Sequence, residues 1–147
     1  MRLTLQTDYA LRTLVYLAAG NGDWPSVRVI AEAYDISRPH LVKVVQALGR
    51  AGFVETRPGR SGGVKLAKPP EEIVVGEVVR RLEPSLVPVV CLDPGSEQSC
   101  VISPACGLKG PLRDAMEQYL AVLDGYTIAD CLGRKSEVAG LLQITKR

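Results

Sequence analysis

Aromatic residues are scarce in this chain of 147 residues: they make up 5% of it, with one Phe and one Trp. Since 46% of the residues are hydrophobic, a core can be buried, but it must be mostly aliphatic. Histidine occurs once, as His40. No nucleophile–base pair is visible, and the glycine-rich RSGGVK at 60–65 lacks the Walker pattern of a phosphate loop, so an enzyme is not expected. No apolar run approaches the roughly 18 residues of a membrane span. The N-terminal MRLTLQTDYALR does not place a charged region before an apolar core and a small-residue cleavage site, so no export signal is read there. The expectation is a cytoplasmic protein without a membrane partner, whose cysteines serve as thiols, metal ligands or redox sensors.

The net charge of +2 conceals an asymmetry. Residues 1–70 carry ten Lys/Arg against five Asp/Glu, and residues 71–147 carry eight against eleven. A basic first half suggests an anionic partner there.

Hydrophobic spacing predicts a helix over TDYALRTLVYLAAG, with Thr7 as N-cap, Leu11, Leu14, Val15 and Ala18 as its stripe, and Gly20 as C-cap. A second short helix runs from Val27 to Tyr34, with Val29, Ile30 and Ala33 inward. Ser37 caps a third, RPHLVKVVQALGRAG, whose Pro39 sits in the first turn, where a missing N–H costs nothing. Its buried face is Leu41, Val44, Val45 and Leu48, and Gly52 closes it. Two strands, Phe53–Arg57 and Gly63–Ala67, flank a glycine-rich tip. A helix over 73–83 follows the Pro69–Pro70 break. An amphipathic helix from Pro111 to about Leu123 carries Leu112, Met116, Leu120 and Leu123 on one side. Thr127 caps a short helix, IADCLG, in which Cys131 is expected to be a core residue. No internal repeat appears.

These elements predict a mainly α fold with a small β-hairpin wing: a winged helix-turn-helix domain plus a long dimerisation helix. The expected organisation is a DNA-binding domain at 1–70, a cysteine loop and dimer helix at 71–133, and a tail at 134–147. A helix-turn-helix sets the start of its second helix against base edges in the major groove. Here that start carries Ser37, Arg38, Pro39 and His40, with Lys43 one turn on. Arg pairs bidentately with guanine, and Ser37 with the free amides of a helix start suits a phosphate. His40 is read either as a DNA contact or as a solvent-facing residue. The wing tip RPGRSGG offers Arg57 and Arg60 to the minor groove or the backbone. Helix-turn-helix proteins of this size read two-fold operators as dimers, so double-stranded DNA and a second copy of the chain are the expected partners, with the helix near 111–124 as the interface.

Three of the four cysteines, Cys91, Cys100 and Cys106, fall within sixteen residues among loop-formers. The residues alone leave four readings open. These are a disulfide, a zinc site that would lack its usual paired knuckles, a bare thiol switch, and an iron–sulfur cluster wrapped by a flexible loop.

Over residues 1–133 the chain resembles the IscR/NsrR family of iron–sulfur winged-helix transcriptional repressors. The resemblance rests on LTLQTDYALRTLVYLA, ISRPHLVKVVQALGRAGFVETRPGRSGGVKLAKP, IVVGEVVRRLEP, the three-cysteine loop, ISPACGLK and YTIADCL. Within the family it is most similar to the NsrR type. The position of the IscR-type histidine ligand, three residues after the last cysteine, is Lys109 here. The position of the aspartate that NsrR-type proteins donate from the other subunit is Asp8. The resemblance therefore implies a homodimeric repressor that senses nitric oxide through a cluster held by Cys91, Cys100, Cys106 and the partner's Asp8. The cluster implied is 4Fe-4S, with 2Fe-2S as the alternative. An acidic residue in the first helical turn is also favoured simply by the helix dipole. The gap from Cys91 to Cys100 is longer than is usual in the family. The rival readings keep the fold and change the sensor: a 2Fe-2S redox or iron–sulfur-status regulator, or a cluster-free thiol regulator.

Overall fold

The computed structural model describes residues 2–59, 62–93, 95–96 and 100–144. Helix α1 (Leu5–Ala19) starts at Thr4, not at Thr7. The Thr4 hydroxyl accepts the Thr7 amide at 3.3 Å, while Glu83 Oε1 accepts both the Thr4 amide (2.8 Å) and the Thr4 hydroxyl (3.1 Å). Thr7 itself is fully buried inside the first turn. Gly20 closes α1 as predicted, its N–H donating to the Tyr16 carbonyl.

Helix α2 (Val27–Ala33) is capped by the Ser26 hydroxyl. Its buried edge is Ile30 and Ala31, whereas Val29 is 40% exposed. The expected inward Val29 is thus corrected: a helix of two turns buries one narrow edge, and Val29 lies one helical step outside it. Asp35 takes a left-handed φ of 52° between α2 and α3, a conformation that Asp tolerates better than most residues. That turn is fastened by the Ile36 amide donating to the Ala31 carbonyl at 2.9 Å, which sinks Ile36 into the core.

Helix α3 (Arg38–Arg50) buries Leu41, Val44, Val45 and Leu48, as its period predicted. Gly52, at φ 77°, lets the chain reverse so that the Phe53 amide donates to the Leu48 carbonyl and Phe53 is buried. Strands β1 (Val54–Arg57) and β2 (Gly63–Leu66) pair antiparallel, with Glu55 opposite Lys65 and Arg57 opposite Gly63. The predicted wing is present.

Helix α4 (Val75–Leu82) follows a 3-10 turn at Pro70–Glu72. A single core runs through Leu14, Ile30, Leu41, Leu48, Phe53, Val64, Ile73, Val78 and Ile128, so residues beyond 70 pack into the same interior as the reading head. Helix α5 (Lys109–Asp124) packs on α4, yet none of its residues is buried. Arg80 grips Asp124 with two hydrogen bonds, at 2.5 and 2.6 Å. The approach is so close that a side chain at Gly76 would strike the Asp124 carboxylate. A short bridge pairs Val74 with Thr127. Helix α6 (Lys135–Leu141) folds back on α1, giving structure to part of the segment read as a tail.

The expected helix after Thr127 is one 3-10 turn, Asp130–Leu132. Cys131 is exposed rather than in the core: Ile128 and Leu132 take the inward positions, and the 120° step of a 3-10 turn swings Cys131 outward. The Thr127 hydroxyl and amide both donate to Asp130, holding its carboxyl below the usual carboxylate range. With the folded pKa depressed, the stabilisation is present above the ordinary carboxylate pKa and is lost as pH falls through the folded one. Asp130→Asn should therefore melt below the unmodified chain at neutral pH, and the gap should close in acid. Thermal melts at neutral pH and below pH 4, roughly the free-carboxylate value, would check this. A gap that stayed constant would mean that the charge is not involved.

Candidate nucleic-acid interface and thiol loop

Burial of Leu41, Val44, Val45 and Leu48 leaves the opposite face of α3 to solvent. Ser37, Arg38, Pro39, His40 and Lys43 are all exposed on it. The Ser37 hydroxyl makes no cap hydrogen bond, so it is available to an external acceptor or donor. Distant in sequence, the wing stands beside the same helix start. A cleft of about 380 Å³ separates them, lined by Ser26, Arg28, Arg38, Thr56 and Arg57 among others. None of its lining residues is acidic. Arg28 is paired with Glu32 at 3.3 Å on α2. The arrangement brings Arg57 of the wing and Arg38 of α3, both singled out in the sequence as separate DNA contacts, to one cleft, and adds Ser26, Arg28 and Thr56, which the sequence did not single out. Arg28 looked like an ordinary helix-surface residue, and no local pattern marks a residue whose neighbours come from a hairpin thirty positions on. Arg60 lies outside the described residues.

The thiol loop runs from α4 to α5. Cys91 sits in a 3-10 turn, Val90–Leu92, and Cys106 directly follows another, Ser103–Ala105. The Cys100 carbonyl accepts the Ser103 amide at 2.9 Å. All three thiols are free; Cys91 and Cys106 are half-buried and Cys100 is exposed. Among the described residues, no three Cys, His, Asp or Glu side chains converge as a metal site. The donor set nevertheless suits an iron–sulfur cluster: three unpaired thiols lie on irregular backbone, none of them spent on packing, so they can close around an inorganic core. Asp8 does not join the thiols of its own chain. Its carboxylate accepts from Arg12 Nε at 3.1 Å and pairs with a terminal guanidinium nitrogen at 2.8 Å, on the half-exposed face of α1. Lys109 opens α5. Cys131 is a poorer donor: partial burial and the neighbouring Asp130 charge raise its pKa and keep it protonated.

No helix among the described residues is long and apolar enough to cross a membrane. Residues 3–134 match the Rrf2 family, described as an iron-dependent transcriptional regulator. The HTH-type transcriptional regulator NsrR of Bacillus subtilis is 48% identical over 145 residues, spanning 98% of this chain and 99% of that one. The protein of the same name from Halalkalibacterium halodurans is 45% identical over the same shares of both chains. Among solved structures, CymR, the global cysteine regulator of B. subtilis, superimposes with a TM-score of 0.65 at 25% identity over 99% of each chain. T. potens IscR does so with a TM-score of 0.67 at 25% identity, over 90% of this chain and 86% of that one. A winged reading head with an acid-free arginine cleft, joined to full-length likeness of this kind, has one reading: the chain belongs to the Rrf2 family, as a DNA-binding, non-enzymatic transcriptional regulator of the NsrR type.

Proposed function

We propose that the chain works in the cytoplasm as a homodimeric repressor of a two-fold operator, with an iron–sulfur cluster, 4Fe-4S rather than 2Fe-2S, through which it answers nitric oxide. The observation that carries this reading is the pairing of three free, accessible thiols on one irregular loop with a 16-residue helix that follows it and buries none of its residues. A helix with Leu112, Met116, Leu120 and Leu123 along it needs a second surface, and Val122 at 61% exposure widens the apolar face. A second copy meets that need by symmetry. The NsrR names of the relatives and the iron dependence of the family support the same reading.

Cys91, Cys100 and Cys106 hold the cluster, and Asp8 of the other subunit completes its ligands. A bound cluster supplies iron to which nitric oxide binds. Arg12 orients the Asp8 carboxylate, and gives it an alternative partner when it is not ligating. The loop leads into α5, Arg80 ties the far end of α5 to α4, and Glu83 ties the end of α4 to the start of α1, which packs on α3. A shift at the thiols thus has a continuous route to the reading helix, and a coupling of about 1.4 kcal/mol along it changes DNA affinity tenfold. Arg38, His40 and Lys43 meet base edges and phosphates, Ser37 and Pro39 set the helix start against the backbone, and Arg57 and Arg60 follow the flanking groove.

Native mass spectrometry of protein purified without oxygen tests the sensor. A dimer carrying one 4Fe-4S mass per subunit is expected. A 2Fe-2S mass would make it a redox or iron–sulfur-status regulator, and a metal-free dimer a thiol regulator. Among the described residues no three ligand side chains converge, which is the observation that favours the last of these. For the head, Arg38→Ala should weaken operator binding by about 1–3 kcal/mol and relax preference at one base position. A uniform loss across sequences would reassign Arg38 to a phosphate.

A further inference from the structure

Sequence marks Arg57 as a wing charge, but nothing in it says how a long side chain on a glycine-rich hairpin is held. The structure supplies the holder. The Arg57 guanidinium carbon lies 4.0 Å from the centre of the Trp24 ring, well inside the range of a cation–π contact. Trp24 belongs to the segment between α1 and α2, and that segment is stitched to the wing. The Pro25 carbonyl accepts the Val64 amide at 2.9 Å, and Gly63, which faces Arg57 across the hairpin, lies flat against the Trp24 and Pro25 carbonyls. Among the described residues, Arg57 has no carboxylate partner; the indole face is its only fixed contact. Stacking covers one face of a guanidinium and leaves its in-plane N–H donors free, which is the geometry for a bidentate phosphate contact. Those donors belong to the acid-free cleft shared with Arg38 and Thr56.

We propose that Trp24 is a positioning residue of the DNA interface: its ring holds Arg57 at the mouth of the wing cleft, pre-organised for a backbone phosphate. This rests on the reading of Arg57 as a DNA contact. Pre-organisation lowers the ordering cost of binding, so losing the ring should cost affinity while every charge stays in place.

The test compares the full-length anaerobic protein with Trp24→Leu, Trp24→Phe, Arg57→Ala and Trp24→Leu/Arg57→Ala, titrated onto a random-sequence duplex at several salt concentrations. Trp24→Leu and Arg57→Ala should each weaken binding about three- to tenfold. The double variant should be no weaker than Arg57→Ala, and Trp24→Phe, which keeps a ring face, should recover most of the loss. Only the loss of Arg57 should lower the salt slope by about one. Trp24 is the chain's one tryptophan, so its emission reports the stack directly. It should change when duplex binds the unmodified chain and stay unchanged in Arg57→Ala. Losses that multiply in the double variant, or a Trp24→Phe as weak as Trp24→Leu, would overturn the positioning role. An Arg57→Ala that binds like the unmodified chain would overturn it too, while leaving the DNA-binding function intact. Failure of the unmodified chain to bind any duplex would instead remove the DNA reading itself.

Discussion

Purified without oxygen, Cys106→Ser should carry no iron, while Cys131→Ser should carry as much as the unmodified chain. The contrast follows from what surrounds the two thiols. Cys106 is free, half-buried and placed at the end of a 3-10 turn in a loop that also carries Cys91 and Cys100. Cys131 is also free, but Asp130 lies beside it and partial burial disfavours its thiolate. A metal selects thiolates, so a thiol held protonated binds poorly. Cys131 further sits in a turn bonded back to Thr127 and ending in Leu132, a core residue; moving it to reach a cluster would disturb the interior. Serine at position 106 keeps the size of the side chain and removes the soft donor, so a cluster left with two thiolates and one carboxylate should be lost outright. Iron analysis and visible absorbance give the first readout. The second is operator affinity, which should fall at least tenfold, about 1.4 kcal/mol, if the cluster sets the spacing of the heads. Cys91→Ser and Cys100→Ser should behave as Cys106→Ser does. Full iron in any one of the three would break the proposed ligand set, and loss of iron in Cys131→Ser would mean that the fourth ligand had been misread.

The reading head was legible because its signals are local. Ser37 before an amphipathic run, Gly52 at its end and a glycine-rich tip between two short strands each specify a conformation within a few residues, and each element lies where those signals put it. The misreadings share a cause as well. The sequence offers Thr7 as the cap, yet Thr4 caps α1, its hydroxyl accepting the Thr7 amide while Glu83, 79 residues away, braces it. Helical spacing puts Val29 inward and an expected apolar helix does the same for Cys131, but two-turn and one-turn elements bury too narrow an edge for period alone to decide. The acid-free cleft is half visible: Arg38 and Arg57 stand out as charges near glycine or a helix start, while Ser26, Arg28 and Thr56 join them only through the packing of the wing on the α1–α2 segment and α2. The thiol loop is conspicuous in sequence, and its grouping of Cys91, Cys100 and Cys106 is a matter of spacing; the proposed closure around a cluster is not written in that spacing, because it calls on a ligand from a second subunit.

Gly63→Ala should damage both stability and DNA binding more than its single added carbon suggests. Nothing about its backbone demands glycine, since no left-handed φ is involved. The demand comes from crowding: a Cβ at 63 would overlap the Trp24 carbonyl and press on the Pro25 carbonyl. Both are backbone atoms, so neither can turn aside as a flexible side chain would. Relief requires β2 to lift from the α1–α2 segment, which breaks the hydrogen bond from the Val64 amide to Pro25 and opens the site where Val64, 1% exposed, is buried. Overpacking against unyielding neighbours should reach the top of its ordinary range, about 3 kcal/mol. Because Arg57 faces Gly63 across the hairpin and stacks on the same Trp24, the displaced strand should also carry the wing charge out of the cleft. Denaturant unfolding and duplex titration should therefore move together, with duplex affinity down at least as far as in Arg57→Ala. Gly140→Ala is the matched control: its Cβ meets nothing within 4 Å and it lies within α6, so it should be neutral or slightly stabilising. A Gly63→Ala chain that unfolds and binds duplex like the unmodified one would show that β2 does not rest on Trp24 in solution, and would remove the support for the held Arg57 as well. If stability falls while affinity holds, the strand is anchored as described but the wing reads DNA without needing that anchor.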